Sequence, residues 1–83
     1  MAGPLRLFLD KTLVAPAVEV IIDEEELAAA DANGAAAEII FGAIGDFTVR
    51  AIEAGHAEQS VADALEDFER EQIKGREFRA PPK

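Results

Sequence analysis

The chain contains no cysteine, tryptophan or tyrosine, and only one histidine and one serine among its 83 residues. Without cysteine there can be no disulfide framework and no zinc–thiolate site. His56 and Ser60 are four residues apart, but Ser60 is better explained as a helix N-cap and His56 as a solvated residue after Gly55. We therefore predict a non-enzymatic protein and assign no catalytic, cofactor-binding or metal-binding residue.

Long apolar segments are also absent. No stretch approaches the roughly 18 apolar residues that a membrane-spanning helix needs. The opening segment, MAGPLRLFLDKTLV, lacks the basic start and uninterrupted apolar run of a secretory signal, because Asp10 and Lys11 interrupt it. We expect a cytoplasmic protein that does not bind membranes.

Positive charge is scarce, with 8 basic against 17 acidic residues and a formal net charge of −9. Phosphate contacts need clustered lysine and arginine, so direct nucleic-acid binding is unfavourable. A protein partner with a basic surface fits this charge better. The alternative is that the excess of acid only keeps a small protein soluble.

The N-terminal part predicts two strands. Leucine occupies every second position from residue 5 to residue 9, and VEVII at residues 18–22 places Glu19 opposite its apolar face. An antiparallel pair is the simplest arrangement. Because two strands alone are marginal in water, helices or another chain must cover them.

Two helices follow. Asp23 is the predicted N-cap of a short helix that ends at Asn33-Gly34. Residues 35–55 then predict a long helix that ends at Gly55, although Gly45-Asp46 leaves a β-hairpin within residues 38–53 as an alternative. The apolar stripe of the long helix comprises Ile40, Ile44, Phe47 and Ala51, widened by Ile39, Phe41, Ala43 and Ile52.

A last helix begins at Ser60 or near Ala57 and ends at Gly75. The short connector after Gly55 predicts that the last two helices are antiparallel neighbours. The predicted fold class is α+β: a short N-terminal antiparallel strand pair packed with two or three helices, the last two forming an antiparallel helical hairpin. Residues 1–75 form one small domain, and residues 76–83 form a basic and aromatic tail.

The outer face of the last helix is strongly acidic, and arginines flank Phe78 in the tail. Such a surface is typical of contact with a basic protein partner. The predicted partner-binding residues are Glu58, Asp63, Glu66, Asp67, Glu69, Arg70, Glu71, Arg76, Phe78 and Arg79.

The order strand, short helix, Asn-Gly turn and long helix from Val18 to Gly55 resembles the ribbon-helix-helix layout of small antitoxin-type repressors. The resemblance covers under half of the chain. It implies dimerisation through the strand and a C-terminal part that blocks a toxin. The segment VEVIID departs from the pattern, because it has no basic residue to read the major groove.

The sequence thus predicts an acidic protein-binding module. A sharper version is an inhibitor that imitates nucleic acid toward a basic nucleic-acid-binding partner, of the phage anti-defence or antitoxin type. The alternative is a small structural subunit of a homo-oligomeric or phage-particle assembly, a homodimer included. Strand edges and Leu5, Phe8 or Leu13 would then pair with neighbouring subunits.

Overall fold

The alternating apolar residues of the N-terminal part form two strands, and the remainder is helical. The computed structural model describes residues 4–76. The elements are β1 (Leu5–Leu9), β2 (Val18–Ile22), α1 (Glu24–Ala32), α2 (Ala36–Ala54) and α3 (Glu58–Phe68), followed by a π-helical turn (Glu69–Ile73). The predicted α+β class is confirmed, with an antiparallel strand pair and three helices, of which α2 and α3 pack as a hairpin.

The sheet has one buried apolar face and one exposed face of mixed polarity. β1 and β2 pair antiparallel with Leu5 opposite Ile22 and Leu7 opposite Val20. The face that bears these residues packs against the helices, where Leu5 and Leu7 are buried. On the other face the Arg6 guanidinium pairs with the Glu19 carboxylate and lies 4.2 Å from the centre of the Phe8 ring.

The loop between the strands is fixed by local hydrogen bonds. The Thr12 hydroxyl accepts hydrogen bonds from the Val14 and Ala15 amides at 3.2 and 3.0 Å. Ala15 is buried, whereas Leu13 and Val14 project into solvent. The loop therefore presents two large apolar side chains on an ordered backbone.

His56 anchors this loop, and the prediction that it is solvated is wrong. Only 5% of His56 is exposed. Its Nε2 lies 2.7 Å from the Pro16 carbonyl oxygen, which can only accept, so Nε2 donates. The loop folds over the connector that follows Gly55 and removes His56 from water. Nδ1 has no hydrogen-bond partner among residues 4–76.

α1 begins after Asp23, as predicted, but the Asp23 side chain makes no capping hydrogen bond. The first helical bond instead joins the Leu27 amide to the Asp23 carbonyl oxygen at 2.9 Å. Leu27 is the only buried residue of α1. The helix ends at Ala32 with Asn33 as its C-cap, and Gly34 has a φ of 73°. The Asn-Gly turn thus reverses the chain into α2.

α2 is one continuous helix, so the hairpin alternative is wrong. Ile40, Phe47 and Ala51 of the predicted stripe are buried, and Ile44 is partly buried. Gly55 ends the helix with a φ of 106°. This left-handed conformation is open to glycine at little cost.

The apolar stripe predicted for α2 is too wide on one side. Ile39 and Ala43 are partly buried, but Phe41 is 70% exposed and Ile52 43% exposed. Phe41 and Ile52 each follow a buried residue, Ile40 and Ala51, and one residue turns an α-helix by about 100°, so their side chains turn away from the core. Phe41 lines a depression together with Phe68 and Ile73.

α3 begins at Glu58 with Ala57 as its N-cap, so Ser60 lies in the first turn and is not the cap. Helical structure ends at Ile73, before the predicted stop at Gly75, and a 2.8 Å hydrogen bond from the Lys74 amide to the Glu69 carbonyl oxygen closes the π-helical turn. Phe68 is buried in the same core cluster as Phe47.

Candidate functional site

The predicted acidic residues lie on two different sides of the last helix. Asp63, Asp67 and Glu71 are spaced four residues apart and therefore share the side that faces β1. Glu66 and Glu69 line a separate shallow depression, together with Arg70. The structure thus divides the acidic face that the sequence predicts as one surface.

The first three carboxylates line an open groove between β1 and α3, which we call the β1–α3 groove. It encloses about 640 Å³. Strand β1 forms one wall through Arg6, Phe8, Leu9 and Asp10. Asp10 brings a fourth carboxylate to the groove.

Local contacts already engage some of these groups. Asp63 accepts a hydrogen bond from the Gln59 amide group at 2.9 Å, and Asp67 pairs with Arg70 at 2.5 Å. Each of these contacts is exposed, so each contributes at most about 1 kcal/mol. The groups can therefore change partners at small cost.

The sequence-based prediction missed the strand side of the groove. Arg6 and Asp10 of that side were not predicted to bind a partner, and Phe8 was predicted only as a contact to neighbouring subunits in an assembly. Gln72, which lines the groove from the π-helical turn, was missed as well. The two-residue period places Arg6 and Phe8 on the same outer face of β1, but the docking of α3 beside that strand has no local signature. No sequence signal could have identified Asp10.

Other predicted partner-binding residues lie away from the groove. Glu58 is exposed in the first turn of α3 and lines none of the grooves described here. Arg76 is half-buried, and its amide donates to the Ile73 carbonyl oxygen at 3.0 Å. Phe78 and Arg79 lie outside the described residues.

The described part of the chain has no candidate metal site. Within residues 4–76 no three His, Asp or Glu side chains are close enough together to hold a metal ion. No helix in the same range is long and apolar enough to cross a membrane.

Comparisons with protein-family models, curated proteins and solved structures find no match to this chain.

Proposed function

We propose that the protein is a non-enzymatic binding module whose β1–α3 groove binds a basic surface of another protein. The observation that supports this proposal is the presence of four carboxylates, those of Asp10, Asp63, Asp67 and Glu71, along one groove. Exposed ion pairs are weak one at a time, but several carboxylates facing a cluster of lysines or arginines act together. Phe8 adds an apolar contact in the same groove.

A sharper form of the proposal is that the carboxylates imitate nucleic-acid phosphates and inhibit a basic nucleic-acid-binding protein, as phage anti-defence proteins and antitoxins do. Asp63 and Asp67 are separated by about 6 Å along the helix axis, against about 3.4 Å per phosphate along one DNA strand. One row of α3 thus has about half the charge density of a DNA strand. We include in this proposal that the partner has a basic surface and that the protein acts in the cytoplasm.

The test is affinity capture from a lysate of the source organism at low ionic strength. The test variant carries Asp63→Asn, Asp67→Asn and Glu71→Gln. The matched control carries Glu53→Gln, Glu66→Gln and Glu69→Gln, which change the net charge equally but lie off the groove. We expect the first variant to lose a basic protein that the wild type and the control both retain.

Two results would contradict the proposal. Equal loss in both variants would mean that only net charge matters. Capture that persists unchanged in high salt would exclude a contact dominated by exposed charges. Salt weakens such contacts, because the distance over which exposed charges interact is only about 10 Å at 0.1 M and becomes shorter as salt is added.

The alternative function, a subunit of a larger assembly, has one specific observation in its favour. Leu13 and Val14 are exposed on an ordered loop. Leu5, by contrast, is buried and cannot contact a neighbouring subunit, which corrects its predicted role. Light scattering separates the two functions, because an assembly subunit should have a measured mass above that of the monomer. The double variant Leu13→Ser/Val14→Ser should then return the measured mass to that of the monomer.

A further inference from the structure

The two edges of the sheet differ. At the β1 edge the Gln72 side chain acts like a neighbouring strand, because its Oε1 accepts from the Arg6 amide and its Nε2 donates to the Arg6 carbonyl oxygen, both at 2.7 Å. Both backbone groups of Arg6 therefore point away from β2. The β1 edge is closed at this position.

The β2 edge is open. Ile21 is the partner of Arg6 in the sheet, and in an antiparallel pair both residues of such a position point their amide and carbonyl groups outward. Two residues earlier, Glu19 does the same. None of the hydrogen bonds within residues 4–76 uses these four backbone groups. An unpaired strand edge of this kind is a template for another strand.

A groove of about 300 Å³ runs beside the open edge, between β2 and the flank of α2. We call it the β2-edge groove. Ile39 and Ala43 supply a partly buried apolar surface, and Gly42 lies between them in the chain without a side chain. A Cβ built on Gly42 meets no atom within 4 Å. A strand beside β2 would therefore have room over α2.

The charge of the β2-edge groove indicates what kind of segment could bind there. Glu26, Glu38 and Asp46 line the groove, and only Asp46 has an ion-pair partner within residues 4–76, Arg50 at 3.2 Å. A second copy of the chain paired along this edge would bring its own groove acids toward Glu26, Glu38 and Asp46, and like charges repel. Lysine and arginine side chains would be complementary instead.

We infer that the β2 edge binds an extended segment of another protein that alternates apolar with basic residues. Its backbone pairs with Glu19 and Ile21. Successive side chains of a strand point to opposite faces of the sheet, so its basic side chains lie on the α2 side, with their aliphatic stems over Ile39 and Ala43 and their charged ends toward the acids of the groove. Its apolar side chains lie beside Ile21 on the exposed face of the sheet. This surface lies at the opposite edge of the sheet from the β1–α3 groove, so the inference does not depend on the proposed function.

The probe is a synthetic peptide of about nine residues that alternates valine and lysine, long enough to match β2. Two further peptides carry N-methyl groups on one or the other alternate set of backbone amides. Because only every second amide of an added strand faces β2, one methylated peptide should lose binding and the other should retain it. Amide hydrogen exchange at Ile21 should slow when the peptide binds, whereas Arg6, which is already bonded to Gln72, should not change.

Two glycine variants provide a matched pair. Gly42→Leu fills the groove, while Gly45→Leu makes the same change on α2 outside it, and neither site is crowded. We expect Gly42→Leu to weaken peptide binding at least about tenfold and Gly45→Leu to leave it unchanged. Failure of the peptide to bind, or binding that neither methylated peptide and neither variant alters, would overturn the inference. Protection of Ile21 that rises with protein concentration alone would assign the edge to a second copy and overturn it too.

Discussion

At the scale of single residues, two polar side chains connect segments that are distant in the sequence. Gln72 bonds both backbone groups of Arg6, 66 residues earlier, and His56 bonds the carbonyl of Pro16, 40 residues earlier. Each replaces a hydrogen bond that the backbone would otherwise make to water. Together they attach β1 and the loop that follows it to the segments on either side of α3.

Replacing Gln72 with alanine should destabilise the fold. Two hydrogen bonds are lost, each contributing about 0.5–1.5 kcal/mol, so the free energy of unfolding should fall by about 1–3 kcal/mol in urea titration. The control is Gln59→Ala, because Gln59 bonds only the exposed Asp63. Equal effects of the two substitutions would show that Gln72 does not close the β1 edge.

His56→Phe should also destabilise the fold, since it keeps an aromatic ring but leaves the Pro16 carbonyl without its donor. Loss of one hydrogen bond costs about 0.5–1.5 kcal/mol, measurable by urea titration. His56→Gln restores a donor and should recover part of the loss. If both variants are as stable as the wild type, the hydrogen bond does not hold the loop.

At the scale of elements, α2 is the helix against which the sheet and α3 pack. Two of its glycines lie in its interior with free space around them, and the third ends it. The helix therefore forms because its apolar face is buried, despite the helix propensity lost at Gly42 and Gly45.

Substitution of these glycines should give effects of opposite sign. Gly42→Ala and Gly45→Ala should each raise the melting temperature, because alanine is favoured over glycine in a helix interior by about 1 kcal/mol. Gly55→Ala should lower the melting temperature, because a residue with a side chain is strained at a φ of 106°. The expected loss in the free energy of unfolding is about 1–2 kcal/mol. A stabilising Gly55→Ala would contradict the helix end described here.

Local patterns predicted most of the elements. The alternation of leucine in β1, the Asn-Gly turn after α1 and Gly55 after α2 are local signals, and each marks the predicted element. The burial of His56 and the exposure of Phe41 depend on which segments meet in space. No spacing within the chain encodes those contacts, so both were predicted wrongly.

The candidate site was predicted on one side only. Asp63, Asp67 and Glu71 follow helical spacing, so their shared face could be read from the sequence. Asp10 joins them because α3 docks beside β1, and this packing is a tertiary feature. Glu66 and Glu69 line another depression and so do not share this groove, and their predicted partner binding stays a prediction.

At the scale of the whole molecule, the excess of acid acts in two ways. Self-repulsion at a net charge of −9 opposes self-association, and the same negative field would favour the basic partner that we propose. A field alone would not distinguish one acidic face from another. The grouping of carboxylates in the β1–α3 groove adds the position-dependent contact that the proposed function requires.

The most direct measurement of this claim is a calorimetric titration of the captured partner into three proteins. These are the wild type, the groove variant (Asp63→Asn, Asp67→Asn, Glu71→Gln) and the control with Glu53, Glu66 and Glu69 neutralised. We predict that the groove variant binds at least about tenfold more weakly than the control, which corresponds to about 1.4 kcal/mol. Equal dissociation constants for the two variants would contradict the account.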